Sequence, residues 1–303
     1  MRVLSLFDGI SCGRVALERA GIPVETYYAS EIDKYAMSVA QAMYPDTIQI
    51  GDVCKIDFTQ YIGKVDMIIG GSPCQDLSNY KYDRGEVKGL DGDKSRLFWC
   101  FVNAIKIIKP KYFLLENVAT MQKKWADVIS EELGVKPILI ESALVSAAER
   151  HRLYWTNIPV NVLPDNKHLC LKDIMLPEEE VAEKYWYGDR YPITLHGLDK
   201  KVCATIHLNG HRQAKEVYNP EFKCNTLLCD GNGGNLQKKV LQNGKVRKLT
   251  PIEYERLQNL PDNYTACVAD SRRYTAIGNG WTVDVIAHIF KQIEEPQPKL
   301  TLF

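Results

Sequence analysis

The stretch Val3-Leu4-Ser5-Leu6-Phe7-Asp8-Gly9-Ile10-Ser11-Cys12-Gly13 decides the fold. A short β-rich apolar run meets Asp8-Gly9, and a helical pattern follows from Gly13 to Ala20. A strand that passes through a glycine turn into a helix is the opening unit of a parallel sheet covered by helices. The same alternation continues through Thr26 to Ala29, Thr47 to Ile50, Asp66 to Ile69 and Tyr112 to Leu115 as strands. Ile32 to Tyr44 and Arg96 to Ile108 serve as crossover helices, and Pro137 to Ile140 and Leu153 to Trp155 can complete the sheet. The expected class is therefore α/β, with a doubly wound, mostly parallel sheet whose ligands sit at the carboxyl ends of the strands.

From about residue 161 the pattern weakens, and Pro, Gly and Asn interrupt short strand-like pieces until Pro251. Residues 1–160 and 250–303 are expected to form the main body, and 161–249 a smaller, mostly β or irregular domain. Between His196 and Lys248 there are ten Lys or Arg against four Asp or Glu, a local balance of plus six. Since the whole chain carries 38 basic and 38 acidic side chains, the remainder carries minus six. Such a bias is ordinarily a solvated face, yet with His207, His211, Arg212 and Tyr218 and the glycine run 231–234 nearby it also suits a nucleic-acid surface. Beyond Pro251, spacing through Tyr254 and Leu257, then Val283 to Ile293, restores helices, the last of ordinary length.

With 303 residues and 45% apolar composition the chain can bury a large core, which excludes a disordered protein. No apolar run approaches the roughly 20 residues of a membrane span. Asp8 and Gly9 interrupt the first apolar run too early for a signal peptide, so a cytoplasmic location is expected. The nine cysteines are scattered without metal-ligand spacing, so neither a disulfide framework nor a metal is expected.

The loops after the strands hold the candidate chemistry. The turn from Phe7 to Gly13 offers backbone N–H groups at a helix start. Glu31 ends the second strand, where doubly wound folds place a carboxylate for ribose hydroxyls, and Asp52 ends the third, where it can hold an adenine amino group. Together they describe a nucleoside-type cofactor. After the fourth strand, Gly70-Gly71-Ser72-Pro73-Cys74-Gln75 sets a cysteine in a tight turn. After the fifth, Glu116-Asn117-Val118 sets an acid at the same edge. A lone cysteine is more often structural, but a thiol and an acid at neighbouring strand ends face one pocket.

The turn Pro73-Cys74-Gln75, the triplet Glu116-Asn117-Val118, the Phe7-Asp8-Gly9 loop, Arg150-His151-Arg152 and Gly278-Asn279-Gly280 resemble, in order and spacing, the cytosine-C5 DNA methyltransferases. The likeness covers nearly the whole chain apart from the insertion. FDGIS, SAAERHRLYWTNIP and Trp281 are most similar to the animal de novo enzymes, and RKLTPIEYERLQNLPD to bacterial and phage members. The resemblance implies a Rossmann-like fold and S-adenosylmethionine as methyl donor, held by Phe7, Asp8, Gly9, Ile10, Glu31, Ile32, Asp52, Val53, Pro73, Asn279 and Trp281. It implies that Cys74 adds to C6 of a cytosine in double-stranded DNA and that Glu116 protonates or hydrogen-bonds N3. Asn117 then holds the Pro73-Cys74 loop, while Arg150 and Arg152 form the arginine pair, Arg152 being the better candidate for the cytosine O2. Water is a candidate for removing the C5 proton. The target base must leave the stack, and the loop from Asn79 to Ser95 is the natural lid. The insertion 161–249 becomes a target-recognition domain, and a monomer is expected.

Two departures stand out. Ala148 occupies a position where many members have Gln, and the second glycine of the first motif is replaced around Ser11-Cys12. The rival readings are a transfer-RNA cytosine-C5 methyltransferase, whose usual Cys-Phe-Thr signature is missing here, and a catalytically silent DNA-binding homologue, against which Cys74 and Glu116 argue. A dehydrogenase would leave both loops without purpose. The tail from Gln297 to Phe303 resembles the Gln-x-x-Leu-x-Leu-Phe peptides that dock on the bacterial sliding clamp.

Overall fold

The computed structural model describes residues 1–73, 97–228 and 235–293. Cys74, the lid segment 79–95, the glycine run 231–234 and the tail 297–303 lie outside the described residues.

In chain order the elements are β1 (Arg2–Leu6), α1 (Cys12–Arg19), β2 (Thr26–Ser30), α2 (Lys34–Met43), β3 (Ile48–Gln49), β4 (Met67–Gly71), α3 (Phe98–Ile108), β5 (Tyr112–Val118), α4 (Lys123–Leu133), β6 (Ile138–Glu141) and β7 (His151–Thr156). They are followed by β8 (Ile193–Leu195), β9 (Val202–Ile206), α5 (Arg212–Lys215), β10 (Glu216–Tyr218), β11 (Lys239–Gln242), β12 (Lys245–Lys248), α6 (Pro251–Leu257), α7 (Asp270–Asn279) and α8 (Val283–Phe290). One sheet has seven strands in the order β3-β2-β1-β4-β5-β7-β6, the other five in the order β12-β11-β10-β9-β8. Strands β1 to β5 pair in parallel, whereas β7 runs antiparallel to both β5 and β6. The α/β, doubly wound and mostly parallel class expected from the alternation is the one observed. The order reverses between β1 and β4, so the crevice at their carboxyl ends is the switch point where such sheets bind ligands.

Alternate residues of each strand feed opposite cores, as the period of two requires. Val3, Tyr27, Met67, Ile69 and Leu114 pack with Val15, Val39, Val285 and Ile286 of α1, α2 and α8 on one face. Leu4, Leu6, Ile68 and Leu115 pack with Phe101, Val102 and Ile129 of α3 and α4 on the other. The small sheet has its own cluster of Cys203, Ala204, Ile206, Val217 and Val246, while Leu171, Ile174, Tyr218 and Cys224 join the larger core.

The elements differ from the sequence expectation in instructive places. α2 begins at Lys34 rather than Ile32 because the Asp33 carboxylate accepts from the Tyr35 N–H at 2.8 Å and caps the helix. β3 shrinks to two residues at the sheet edge, where Ile48 is exposed and Gly51 turns the chain at φ +74°. α4 has no counterpart in the sequence expectation, although Trp125, Ala126, Val128 and Leu133 pack beside the buried Ile129 on the second core at helical spacing. α8 spans 8 residues, short of an ordinary helix.

The small sheet is fastened to the main layer by a buried ion pair. Arg247 of β12 donates to both Glu253 oxygens, at 2.8 and 2.6 Å, with both side chains fully buried. Glu253 belongs to α6, whose start is fixed by Pro251 and by a reciprocal cap between Thr250 and Glu253.

Candidate active site

The loop after β1 holds three left-handed residues, Phe7, Gly9 and Ser11, with φ of 60°, 60° and 58°. A non-glycine residue in that region costs about 1–3 kcal/mol and persists only where its surroundings hold it. Here the holder is Asp8. Its buried carboxylate accepts from the Ser11 hydroxyl at 2.5 Å and the Tyr27 hydroxyl at 2.8 Å. Burial pushes the Asp8 carboxyl above its ordinary value, opposed by hydrogen bonds from Ser11, Ser5 and Tyr27. The missing second glycine is thereby explained, because Ser11 takes the left-handed conformation and contributes a hydroxyl in exchange.

Glu31 ties this loop to the end of β2. One carboxylate oxygen accepts from the Gly9 N–H at 2.8 Å, the other from Ile32 and Asp33 N–H at 2.8 and 2.9 Å. A Cβ on Gly9 would meet nothing within 4 Å, so the loop borders open space. Ile32, 76% exposed, stands beside it, and Asp52 at the next strand end caps a short turn through the Cys54 N–H at 3.0 Å. Phe7, Gly9, Glu31, Ile32 and Asp52 are thus aligned along the carboxyl edge. Ile10 and Val53 are instead buried in the cores, and the Ile10 carbonyl accepts from Tyr264 at 2.7 Å, so neither brings its side chain to that edge.

Glu116 lies inside β5, not after it, because the strand continues to Val118 by pairing with Arg152 and Leu153 of β7. Its two oxygens have different partners: Arg152 Nε at 2.7 Å and Trp281 Nε1 at 3.2 Å. Gly71, opposite Glu116 on β4, leaves room for this arrangement. A Cβ there would fall 2.9 Å from Trp281 Nε1 and 3.0 Å from the Glu116 oxygen. Asn117 donates from its amide to the Ser72 carbonyl and hydroxyl, both at 3.1 Å, and so anchors the chain at Ser72, just before Pro73.

The two arginines part company. Arg150, buried, donates to the carbonyls of Gly278 and Gly280 at 3.3 and 3.1 Å, so it braces the Gly278-Asn279-Gly280 turn. Arg152 alone reaches the acid. Ala148, the other departure, is buried in a β-bridge with Cys224, which docks the insertion onto the motif. Gln258, not singled out from the sequence, supports the turn after α7. Its amide donates to the Ile277 and Gly280 carbonyls at 3.0 and 3.1 Å and accepts from Thr282 at 2.8 Å, completing the seat of the Asn279-Trp281 turn. Its only sequence signal is its place in the stretch RKLTPIEYERLQNLPD.

Among the described residues no group of three His, Cys, Asp or Glu side chains could hold a metal, and no helix is long and apolar enough to cross a membrane.

The family model for C-5 cytosine-specific DNA methylase matches residues 1–134 and 155–295. The chain belongs to that family. Among its relatives, the type II methyltransferase M.HhaI of Haemophilus parahaemolyticus is 26% identical, over 95% of this chain and 93% of its own length. The type II methyltransferase M.NlaX of Neisseria lactamica is 27% identical, over 97% and 96%. Among solved structures, the methyltransferase EhMeth of Entamoeba histolytica superposes with a TM-score of 0.73 at 16% identity, covering 96% of this chain and 97% of that one, a likeness of fold. The protein is thus a methyltransferase of the C-5 cytosine family, and four of the five motifs that suggested it, all but Pro73-Cys74-Gln75, lie wholly within the described residues.

Proposed function

We propose that this protein transfers a methyl group from S-adenosylmethionine to C5 of a cytosine flipped out of duplex DNA. The observation that carries the reading is the Glu116 carboxylate, held on one oxygen by Arg152 and on the other by Trp281, beside the β1–β4 switch point. The crevice suits a nucleoside donor: a carboxylate at the β2 end, an exposed apolar side chain at Ile32, and a curled backbone loop open at Gly9. Phe7, Gly9, Glu31, Ile32, Asp52, Pro73, Asn279 and Trp281 would hold the donor, with Asp8, Ile10 and Val53 shaping the loops behind them. When bound, S-adenosylmethionine supplies an electrophilic methyl group.

Cytosine C5 is a poor nucleophile, and the chain's own residues correct this. Cys74 forms the Sγ–C6 bond, and the ring electrons shift toward C5 as Glu116 holds a proton at N3. Arg152, already beside Glu116, is placed to donate to the O2 of the base and stabilise the charge. After methylation, loss of the C5 proton and departure of the thiolate restore the ring. Flipping itself costs a few kcal/mol, which interactions with the extruded base offset.

Residues 161–249 act as the target-recognition domain on a catalytic body formed by 1–160 and 250–303, working as a monomer in the cytoplasm. The tail Gln297 to Phe303 docks on a sliding clamp; its deletion should abolish clamp pull-down. Labelled S-adenosylmethionine offered with duplex DNA or with transfer RNA tests the main reading. Label is expected in DNA cytosine, and label confined to RNA overturns it.

A further inference from the structure

Trp281 does more than its place in a donor-binding turn requires. Its indole ring is wedged between two glycines on different elements. A Cβ on Gly13, in the first turn of α1, would lie 2.4 Å from Ile69 Cδ1 and 3.3 Å from Trp281 Cζ3, and a Cβ on Gly71 of β4 would lie 2.9 Å from Trp281 Nε1. One edge of the ring therefore packs against the helix that follows the donor loop, and the other carries the N–H that donates to Glu116 at 3.2 Å. At neither glycine does a side chain of that residue intervene. The ring is seated by Gln258, which grips the Gly280 carbonyl and the Thr282 hydroxyl on either side of it, and by Arg150, which grips Gly278 and Gly280.

An indole N–H can only donate, so its bond fixes one Glu116 oxygen as an acceptor. Arg152 holds the other oxygen as an ion pair, with its Nε 2.7 Å away. The orientation of the carboxyl group is then set by two elements, β7 and the turn after α7, instead of by its own strand. Of these two partners, Trp281 is the one that also packs on the donor side of the crevice, at Gly13.

We infer that Trp281 is a positioning residue for Glu116: its indole N–H aims the carboxyl group, and its ring links that aim to the donor loop through Gly13. The inference rests on the methyltransferase reading given above. It requires that the hydrogen bond matter separately from the ring, which Trp281→Phe distinguishes from Trp281→Ala.

The test has two arms. With 15N-labelled indoles the five tryptophans give five Nε1–H signals, and Trp281→Phe identifies the relevant one by its loss. In the donor-free protein, Glu116→Gln should shift that signal and accelerate its hydrogen exchange while leaving the other four in place. This arm needs no activity, so it stands whatever the substrate proves to be. In the second arm, Trp281→Phe should lower kcat for DNA methylation about tenfold, the scale of one hydrogen bond to a charged group. KM for S-adenosylmethionine should stay within about twofold, because the ring wall is kept. Trp281→Ala should impair both. An indole signal indifferent to Glu116→Gln overturns the inference. So does a Phe variant that loses donor affinity at unchanged kcat, since Trp281 is then a wall of the donor site alone. Absence of DNA methylation by the wild type, with the indole signal still coupled to Glu116, would instead contradict the proposed function.

Discussion

The carboxyl edge of the seven-stranded sheet and the five-stranded sheet present opposite relations between sequence and surface. At the first, short motifs far apart in the chain meet: Glu116, Arg152 and Trp281 share one carboxylate. At the second, the sequence shows ten basic residues against four acidic between His196 and Lys248, which suggests a broad cationic face. Most of those cations serve the protein itself. Arg247 is buried against Glu253, Lys245 pairs with Glu178 and Lys201 with Glu149. Lys223 donates to the carbonyls of Ser146 and Leu169, and Lys238 and Lys239 are buried. Lys200, Arg212 and Lys215, with His196, line a cleft of about 760 Å³ against β9 and β10, where Glu216 lies 3.7 Å from the exposed Arg212. Residues at strand ends are placed by the backbone that carries them, whereas a charge count is blind to the partners that consume it.

Substitutions in the two regions probe this contrast. The largest effects belong to the first: Glu116→Gln and Arg152→Ala should each lower the methylation rate by about 10²–10⁴, the scale of general acid catalysis, with the fold intact by circular dichroism. A comparable fall for Arg150→Ala at unchanged stability would erase the distinction drawn between the two arginines. Next, Arg247→Ala strands the buried Glu253 carboxylate and should cost about 3–5 kcal/mol in denaturant unfolding, as removal of one partner of a buried pair does. A neutral result there would mean that the small sheet is not anchored through this pair.

Smaller effects follow at the surface. Replacing Lys200, Arg212 and Lys215 with Ala should flatten the dependence of DNA affinity on salt, by roughly one unit of log–log slope for each phosphate that is no longer neutralised. Lys223→Ala should weaken stability and leave that slope alone; the reverse pattern would restore the charge count as a guide. The smallest change is expected for Asp284→Asn. Burial raises the Asp284 pKa, but hydrogen bonds from Lys167 and Arg19 outweigh it and hold it below the ordinary aspartate value. A carboxylate with a depressed folded pKa stabilises above its unfolded pKa and loses that contribution as pH falls through the folded value. The variant should therefore be about 1 kcal/mol less stable at neutral pH, and the gap should close on acidification below roughly pH 4.

The sequence exposed β1, β2, β4 and β5 because parallel strands buried on both faces are short apolar runs ended by Gly, Asp or Glu. It exposed Glu116 and Asn117 as a pair, though not that β5 carries them within the strand, since that depends on pairing with β7. α4 was legible in principle, since Trp125, Val128, Ile129 and Leu133 recur at helical spacing, yet it had no place in the expected alternation. The roles of Tyr27 on Asp8, of Gln258 on Gly280 and of Arg150 on Gly278 arise between segments distant in the chain. No local pattern carries such information, and for that reason the two arginines of one motif look alike until their partners are seen.

The central claim, attack by Cys74 on a cytosine activated by Glu116 and Arg152, is tested most directly by duplex DNA bearing 5-fluorocytosine at the target base. Fluorine removes the C5 proton whose loss frees the enzyme, so the Sγ–C6 bond should persist. With S-adenosylmethionine present, a protein–DNA adduct stable to denaturing electrophoresis should form, its peptide map should place the link on Cys74, and Cys74→Ser should give none. An adduct on another residue, or methylation of ordinary cytosine undiminished in Cys74→Ser, would contradict the account.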